Sequence, residues 1–215
     1  MSVGGRNMKV FLVILISYLF GSIPWGLVIG KVFYHKDIRK EGSGNIGGTN
    51  AGRVLGKPAA ISVTLLDAFK AFISMWIASM IDPSAILLAG LACAIGHCFP
   101  VFAQFKGGKA VATAYGYFLG ITVFITHAWF WNFFWPIILF FAILYFTRIV
   151  SISSISAVGI EAITSLIVNR SHILVFICLL ILWLLITYRH KANLIRVKNG
   201  TESRIKWMGE RHGNR

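Results

Sequence analysis

Acidic residues are nearly missing from this chain. Asp and Glu number seven among 215 residues, and charged residues of all kinds make up only 13%. An ordinary soluble domain is about one quarter charged, so a soluble globule is excluded. A disordered segment, which needs high charge and few apolar side chains, is excluded as well. Cysteine is sparse too. Cys93, Cys98 and Cys178 stand in apolar stretches with neither paired nor metal-ligand spacing, so they are expected as packing residues without a disulfide.

Apolar surface takes the place of charge: 57% of residues are hydrophobic, with 17 Phe, seven Trp and six Tyr. Such a composition belongs to an integral membrane protein. The formal net charge of +14, from 21 Lys and Arg, largely reflects the missing acids. Basic residues beside spans are expected on the cytoplasmic side, near anionic lipid. The membrane accounts for the charge, and no nucleic-acid partner is expected.

Seven apolar runs cover residues 10–29, 58–81, 84–105, 110–124, 128–146, 152–168 and 172–187, followed by a basic tail, 188–215. A bilayer core is crossed by about 20 residues of helix. Residues 110–146 are too long for one crossing, so a break is placed near 122–127. The first run follows Arg6 and Lys9 but is longer than a signal-peptide core and lacks a small-residue cleavage pattern, so it is expected to stay as a span. The expected fold is an all-α polytopic membrane protein of seven transmembrane helices, a single domain over 1–215.

Orientation follows from the basic residues. With the N-terminus outside, the cytoplasmic segments hold 17 of the 21; Arg6, Lys9 and Arg170 lie outside, and Lys70 lies within the second span. The C-terminus is then cytoplasmic. The outward connections, around residues 82–83, 126–127 and 169–170, are short. Every polar, glycine-rich loop therefore falls on the cytoplasmic face, where the chemistry is expected.

The longest loop reads Glu41-Gly-Ser-Gly-Asn-Ile-Gly-Gly-Thr-Asn-Ala-Gly-Arg53, five glycines in thirteen residues. Glycine lets backbone approach a ligand closely, and successive N–H groups make an anion nest. Ser43, Asn45, Thr49 and Asn50 add hydrogen-bonding groups, and the Arg53 guanidinium suits phosphate. The other reading is a solvated connector. A second loop, Phe105-Lys-Gly-Gly-Lys-Ala-Val-Ala-Thr113, opens the fourth span. Gly107 and Gly108 precede a helix start with Lys106 and Lys109 beside it, a place for a phosphate or acyl phosphate; a turn with snorkelling lysines is the alternative. Neither loop names a reaction.

The sixth span opens on Ser151, Ser153, Ser154 and Ser156. Ser154 lies about 5 Å inside it and either meets a ligand or bonds back to its own helix. His190 and Asn193, three apart after the seventh span, share a face if that helix continues; a headgroup anchor is the alternative. Asp67, Lys70 and Glu161 are intramembrane charges, which are generally paired. Lys70 is expected to bridge both carboxylates, joining the second span to the sixth. A proton relay is the lesser reading for these three. His97 and His127 are expected as packing or interfacial residues.

Together these segments resemble a known family, the membrane-integral bacterial glycerol 3-phosphate acyltransferases that use acyl phosphate as donor. The resemblance covers essentially every span. It is carried by Gly21-Ser-Ile-Pro-Trp-Gly26, by residues 42–50 with Arg53, by Gly96-His-Cys-Phe-Pro-Val-Phe102, by residues 105–113, by the serine run and by Tyr188-Arg-His190. It implies a seven-span enzyme of the bacterial cytoplasmic (inner) membrane that makes lysophosphatidic acid and phosphate, the first acylation of phospholipid synthesis. By motif position it implies Ser43, Arg53, Lys109, Ser154, His190 and Asn193 as catalytic residues. Asn45, Thr49 and Asn50 are candidate substrate-binding residues, and the resemblance gives Gly107 and Gly108 to the acyl phosphate. A soluble enzyme that makes acyl phosphate is an implied partner. Gly48 stands where the family usually has Ala, and Ala110 where Gly is usual.

No metal cluster or nucleotide motif is visible, so no cofactor is expected. The H-x-x-x-x-D acyltransferase motif is absent: none of the six His has an Asp five residues on. An acyl phosphate carries a good leaving group, so positioning and charge stabilisation would do most of the work. Two other classes remain open at this level: an organic-anion transporter with the glycine loops as a re-entrant filter, and a non-catalytic membrane scaffold.

Overall fold

The computed structural model describes residues 3–205; the part of the basic tail beyond them, 206–215, lies outside the described residues. Among the described residues all regular structure is helical. The chain divides after Trp129 into two compact units, close to the expected break between the fourth and fifth apolar runs.

The first unit contains α1 (Val3–Gly21), α2 (Trp25–Tyr34), α3 (Gly48–Leu55), α4 (Lys57–Ile81), α5 (Ile86–Cys98) and α6 (Val111–Ile121). Helix α4 is at its centre, packed on α1, α3, α5 and α6. Its Pro58 sits in the first turn, where a missing N–H costs nothing, and no other Pro and no Gly interrupts it. The 3₁₀ turn Pro83–Ala85 returns the chain directly into α5, so α4 and α5 run antiparallel. The start of α4, the end of α5 and the start of α6 therefore share one end of the unit, and both glycine-rich segments lie there.

One expectation is corrected in this unit, and two of its apolar runs are interrupted. The first apolar run is not one helix: it breaks at Ser22–Pro24, where the Ser22 hydroxyl turns back to the Tyr18 carbonyl and Pro24 offers no N–H to continue the ladder. The third run leaves α-helix at Cys98, two residues before Pro100, rather than at residue 105. The first glycine-rich loop is partly helical, since α3 begins at Gly48. That helix is held by tertiary burial. Ala51 joins Leu27, Ile29, Ile38, Ile46, Ala59, Val63 and Ala103 in one apolar cluster, with Val54 and Leu55 packed against it.

The second unit opens on a π-helical turn, Phe130–Phe134, and continues through α7 (Trp135–Thr147), α8 (Val150–Val168), α9 (Ile173–Arg189) and α10 (Lys191–Lys198). Helix α8 packs between α7 and α9. Indoles tie both contacts: Trp135 Nε1 donates to Thr164 Oγ1 at 3.2 Å, and Trp183 Nε1 to the Ile155 carbonyl at 3.1 Å.

Five helical stretches are long and apolar enough to cross a membrane: residues 4–34, Lys57–Ile81, Pro83–Ala103, Phe130–Thr147 and Val150–Val168. A sixth is counted if α9 and α10, bent by 60° at their junction, form one span; Val111–Thr126 is a shorter apolar helix. This is the make-up of a multi-pass membrane protein.

The expected pair of Asp67 and Lys70 forms, with further partners around it. Lys70 Nζ lies 3.0 Å from Asp67, 2.7 Å from His97 Nδ1 and 2.9 Å from the Gly21 carbonyl, all within the first unit. Glu161, in the second unit, accepts from Asn132 Nδ2 at 2.9 Å, and Asn132 accepts in turn from Asn169 at 3.0 Å. Lys70 and Glu161 thus each have polar partners within their own unit. His97, expected as a packing residue, is among those of Lys70.

Candidate functional site

In the first unit the site candidates come from the two glycine-rich segments. The 35–47 segment is closed at its start by Arg39, which holds Asp37 with two bonds, Nη2 to Oδ2 at 2.6 Å and Nε to Oδ1 at 3.0 Å. That guanidinium holds the Asp37 carboxyl down at about 2. Ile38 and Ile46 are fully or almost fully buried and anchor the segment from both sides; each contributes roughly 2 kcal/mol of apolar burial. Gly42 and Gly44 take positive φ, 61° and 70°, as the chain turns between the anchors.

Asn50 is buried beneath this turn. Its Oδ1 accepts from the Ser43 N–H at 2.7 Å, and its Nδ2 donates to the carbonyls of Ile38 and Glu41 at 2.9 and 3.2 Å. Its polar atoms shape the loop from within. Asn45 Oδ1 likewise accepts from the Gly47 N–H at 2.9 Å. Ser43, Thr49 and Arg53 are exposed at the surface of the same segment. Thr49 and Arg53, four apart on α3, present a hydroxyl and a guanidinium on one face.

The second segment crosses the end of α5. The Gly108 N–H donates to the His97 carbonyl at 3.0 Å. A Cβ on Gly107 would collide with the His97 and Cys98 carbonyls and with Pro100, and one on Gly108 with the His97 ring. The glycines here let backbone lie flat against His97. Lys109 follows, half-buried, then Ala110 in the left-handed region at φ 57° and ψ 19°, where α6 starts. The amino end of α6 carries unpaired N–H groups and the positive dipole end, with Lys109 beside it.

In the second unit the candidates gather where α8 begins and α9 ends. Ser154 is fully buried, and its hydroxyl bonds back to the Val150 carbonyl at 2.8 Å. The helix does not continue unbroken through His190, as the shared-face expectation assumed. His190 is the hinge between α9 and α10, and Asn193 sits in the first turn of α10. His190 Nδ1 lies 2.8 Å from the Ile186 carbonyl. A carbonyl can only accept, so in the neutral ring the proton sits on Nδ1 and Nε2 is the basic nitrogen.

Glu202 is a residue that sequence reasoning passed over. Its carboxylate accepts from Asn193 Nδ2 at 2.6 Å, Arg196 Nε at 2.7 Å and Ser151 Oγ at 3.1 Å. Ile205 N–H pins the same stretch to the Arg148 carbonyl at 2.9 Å. Burial raises this carboxyl, but the three donors outweigh it and hold it below the usual range. The available signal was that Glu202 is the one acid among the twelve residues 194–205, three of which are basic.

Comparison with known proteins adds a second line. Residues 11–200 match the family model described as glycerol-3-phosphate acyltransferase. A glycerol-3-phosphate acyltransferase of Staphylococcus haemolyticus is 43% identical over 211 residues, covering 94% of this chain and all of that protein. One from Staphylococcus carnosus is 41% identical over 217 residues with the same coverage. Among solved structures, PlsY (YgiH), an integral membrane glycerol 3-phosphate acyltransferase in its glycerol 3-phosphate form, is 33% identical with a TM-score of 0.80, covering 91% of this chain and 95% of that one. Its lysophosphatidic acid form gives 32% and 0.79 over the same shares.

Proposed function

The chain belongs to the glycerol-3-phosphate acyltransferase family, and from that premise we propose that it transfers a fatty acyl group from acyl phosphate to glycerol 3-phosphate, yielding lysophosphatidic acid and inorganic phosphate. The observation that carries the reading is the second glycine-rich segment. Lys109 stands at the amino end of α6 with glycine backbone before it, a place suited to a phosphate that must leave.

In this reading the whole chain acts as one acyltransferase domain. It makes seven passes through a bacterial cytoplasmic membrane, with the N-terminus outside and the site on the cytoplasmic face. Arg53 and Lys109 hold phosphate groups, Ser43 and Thr49 contribute hydroxyls, and Asn45 and Asn50 keep their loop in shape. Gly107 and Gly108 bring backbone up to the donor. Ser154, His190 and Asn193 complete the set. The acyl chain stays in the bilayer, and acyl phosphate is delivered by a soluble enzyme that makes it.

The reaction is a single displacement at the acyl carbon. The glycerol 1-hydroxyl oxygen forms the new ester bond, the bond from acyl carbon to phosphate oxygen breaks, and phosphate leaves with its electron pair. The hydroxyl proton goes to the acceptor's own phosphate, whose second pKa near about 6 leaves it mostly dianionic at neutral pH. His190 Nε2 is the competing base. A His190→Gln enzyme that keeps its kcat and shows only a raised KM would exclude histidine as base.

The decisive assay uses purified protein in lipid with palmitoyl phosphate and radiolabelled glycerol 3-phosphate, and palmitoyl-CoA as parallel donor. Lysophosphatidic acid should form from acyl phosphate alone, and Lys109→Ala should lower kcat/KM by at least about a hundredfold. Product from the CoA ester at equal rate, or an unaffected Lys109→Ala enzyme, would overturn the donor or the site.

A further inference from the structure

The proposed reaction leaves unused a closed cluster of three ionisable side chains in the first unit. Asp67, Lys70 and His97 are each 5% exposed or less. Besides its contacts with Asp67 and His97, the Lys70 ammonium donates to the Gly21 carbonyl, the last residue of α1. His97 Nδ1 also lies 3.3 Å from the same Asp67 oxygen. One ammonium thus ties the end of α1, the middle of α4 and the last turn of α5.

Such a cluster is expensive. Removing charges from water costs several kcal/mol per ion, and apolar packing of similar volume often serves stability equally well. What the polar cluster adds is a fixed geometry, and the next layer out is the second glycine-rich segment. A charged ammonium only donates, so Nδ1 of His97 accepts from Lys70 and the ring proton sits on Nε2. That nitrogen is on the edge of the ring against which Gly108 packs: a Cβ there would fall on Nε2 itself. The His97 carbonyl receives the Gly108 N–H. Ring orientation is therefore set on one edge by Lys70, which Asp67 holds in place, and the glycine backbone is set by His97 on the other.

We propose that Asp67, Lys70 and His97 are positioning residues that hold the Gly107–Gly108 backbone, and through it Lys109, in the geometry that receives the donor's phosphate. The inference rests on the proposed reaction and assigns these residues to donor binding within it. They act through the loop and touch neither substrate.

The test compares wild type with Lys70→Met, His97→Asn and His97→Gln in lipid nanodiscs. The Asn amide oxygen can accept from Lys70 where Nδ1 does; the Gln amide reaches instead to the Nε2 position. KM for palmitoyl phosphate and for glycerol 3-phosphate is measured, with hydrogen exchange of the amides at 106–110. Lys70→Met should raise the donor KM by about tenfold or more, leave the acceptor KM within about twofold and speed exchange in the loop. His97→Asn should recover more of the donor KM than His97→Gln. Unchanged loop exchange, or both KM values moving together, would overturn the proposal. If Lys70→Met does not fold, the two His97 variants decide: equal donor KM values overturn it. A wild-type enzyme that makes no lysophosphatidic acid would instead sink the proposed reaction, and loop exchange alone would then decide the positioning role.

Discussion

At the scale of single residues, the site is shaped by side chains whose polar atoms face inward. Asn50 stands in a motif rich in ligand-type residues, yet it bonds three backbone groups of its own loop. Ala110 occupies the left-handed region at φ 57°, where a Cβ costs roughly 1–2 kcal/mol. Ala110→Gly should therefore stabilise the protein by about 1 kcal/mol, seen as a higher thermal midpoint in detergent; a lower midpoint would refute the strain. Glu202 gives a pH signature. Its folded-state pKa is lowered from 4.5, so its contribution is complete above the unfolded value and is lost as pH falls through the folded one. Glu202→Gln should lower the midpoint at neutral pH, and the gap to wild type should shrink as the pH falls below 4.5 and through the lowered folded-state value. A constant gap across that range would mean that packing, not charge, is what the variant loses.

At the scale of elements, close helix contact depends on two glycines that face each other across α1 and α5. A Cβ on Gly21 would strike the Cys93 carbonyl, and one on Gly96 would strike the Tyr18 carbonyl and the Ser22 N–H. Small residues at such crossings let backbones approach inside a membrane, where packing rather than the hydrophobic effect joins helices. Gly96→Val should force the pair apart and cost about 2 kcal/mol or more, measured as loss of folded yield and thermal midpoint. A fully stable Gly96→Val would mean that the α1–α5 crossing tolerates wider spacing. Element boundaries were legible where they follow from local chemistry, as at Pro58, and near 122–127, where the helix ends at a left-handed His127. Helix α3 was not legible. Its glycines and polar residues carry no helical signal, and it forms because Ala51, Val54 and Leu55 find apolar partners contributed by α2, α4 and distant Ala103.

At the scale of the whole molecule, charge distribution predicts the orientation. Reporter fusions at the C-terminus should read cytoplasmic, and fusions at residue 170 should read outside; the reverse would overturn the assignment drawn from 17 of 21 basic residues. Sequence by itself determined that this is a helical membrane protein, where its polar loops lie along the chain and which family it joins. Those properties are sums over composition and short motifs, and no folding is needed to compute them. Tertiary structure alone decided which buried groups meet. Lys70 and His97 are 27 positions apart, and Ser151 and Glu202 are 51 apart. Spacing along a chain constrains neighbours on one helix, whereas partners on different helices are chosen by packing. Equal depth along two helices likewise says nothing about the faces they present.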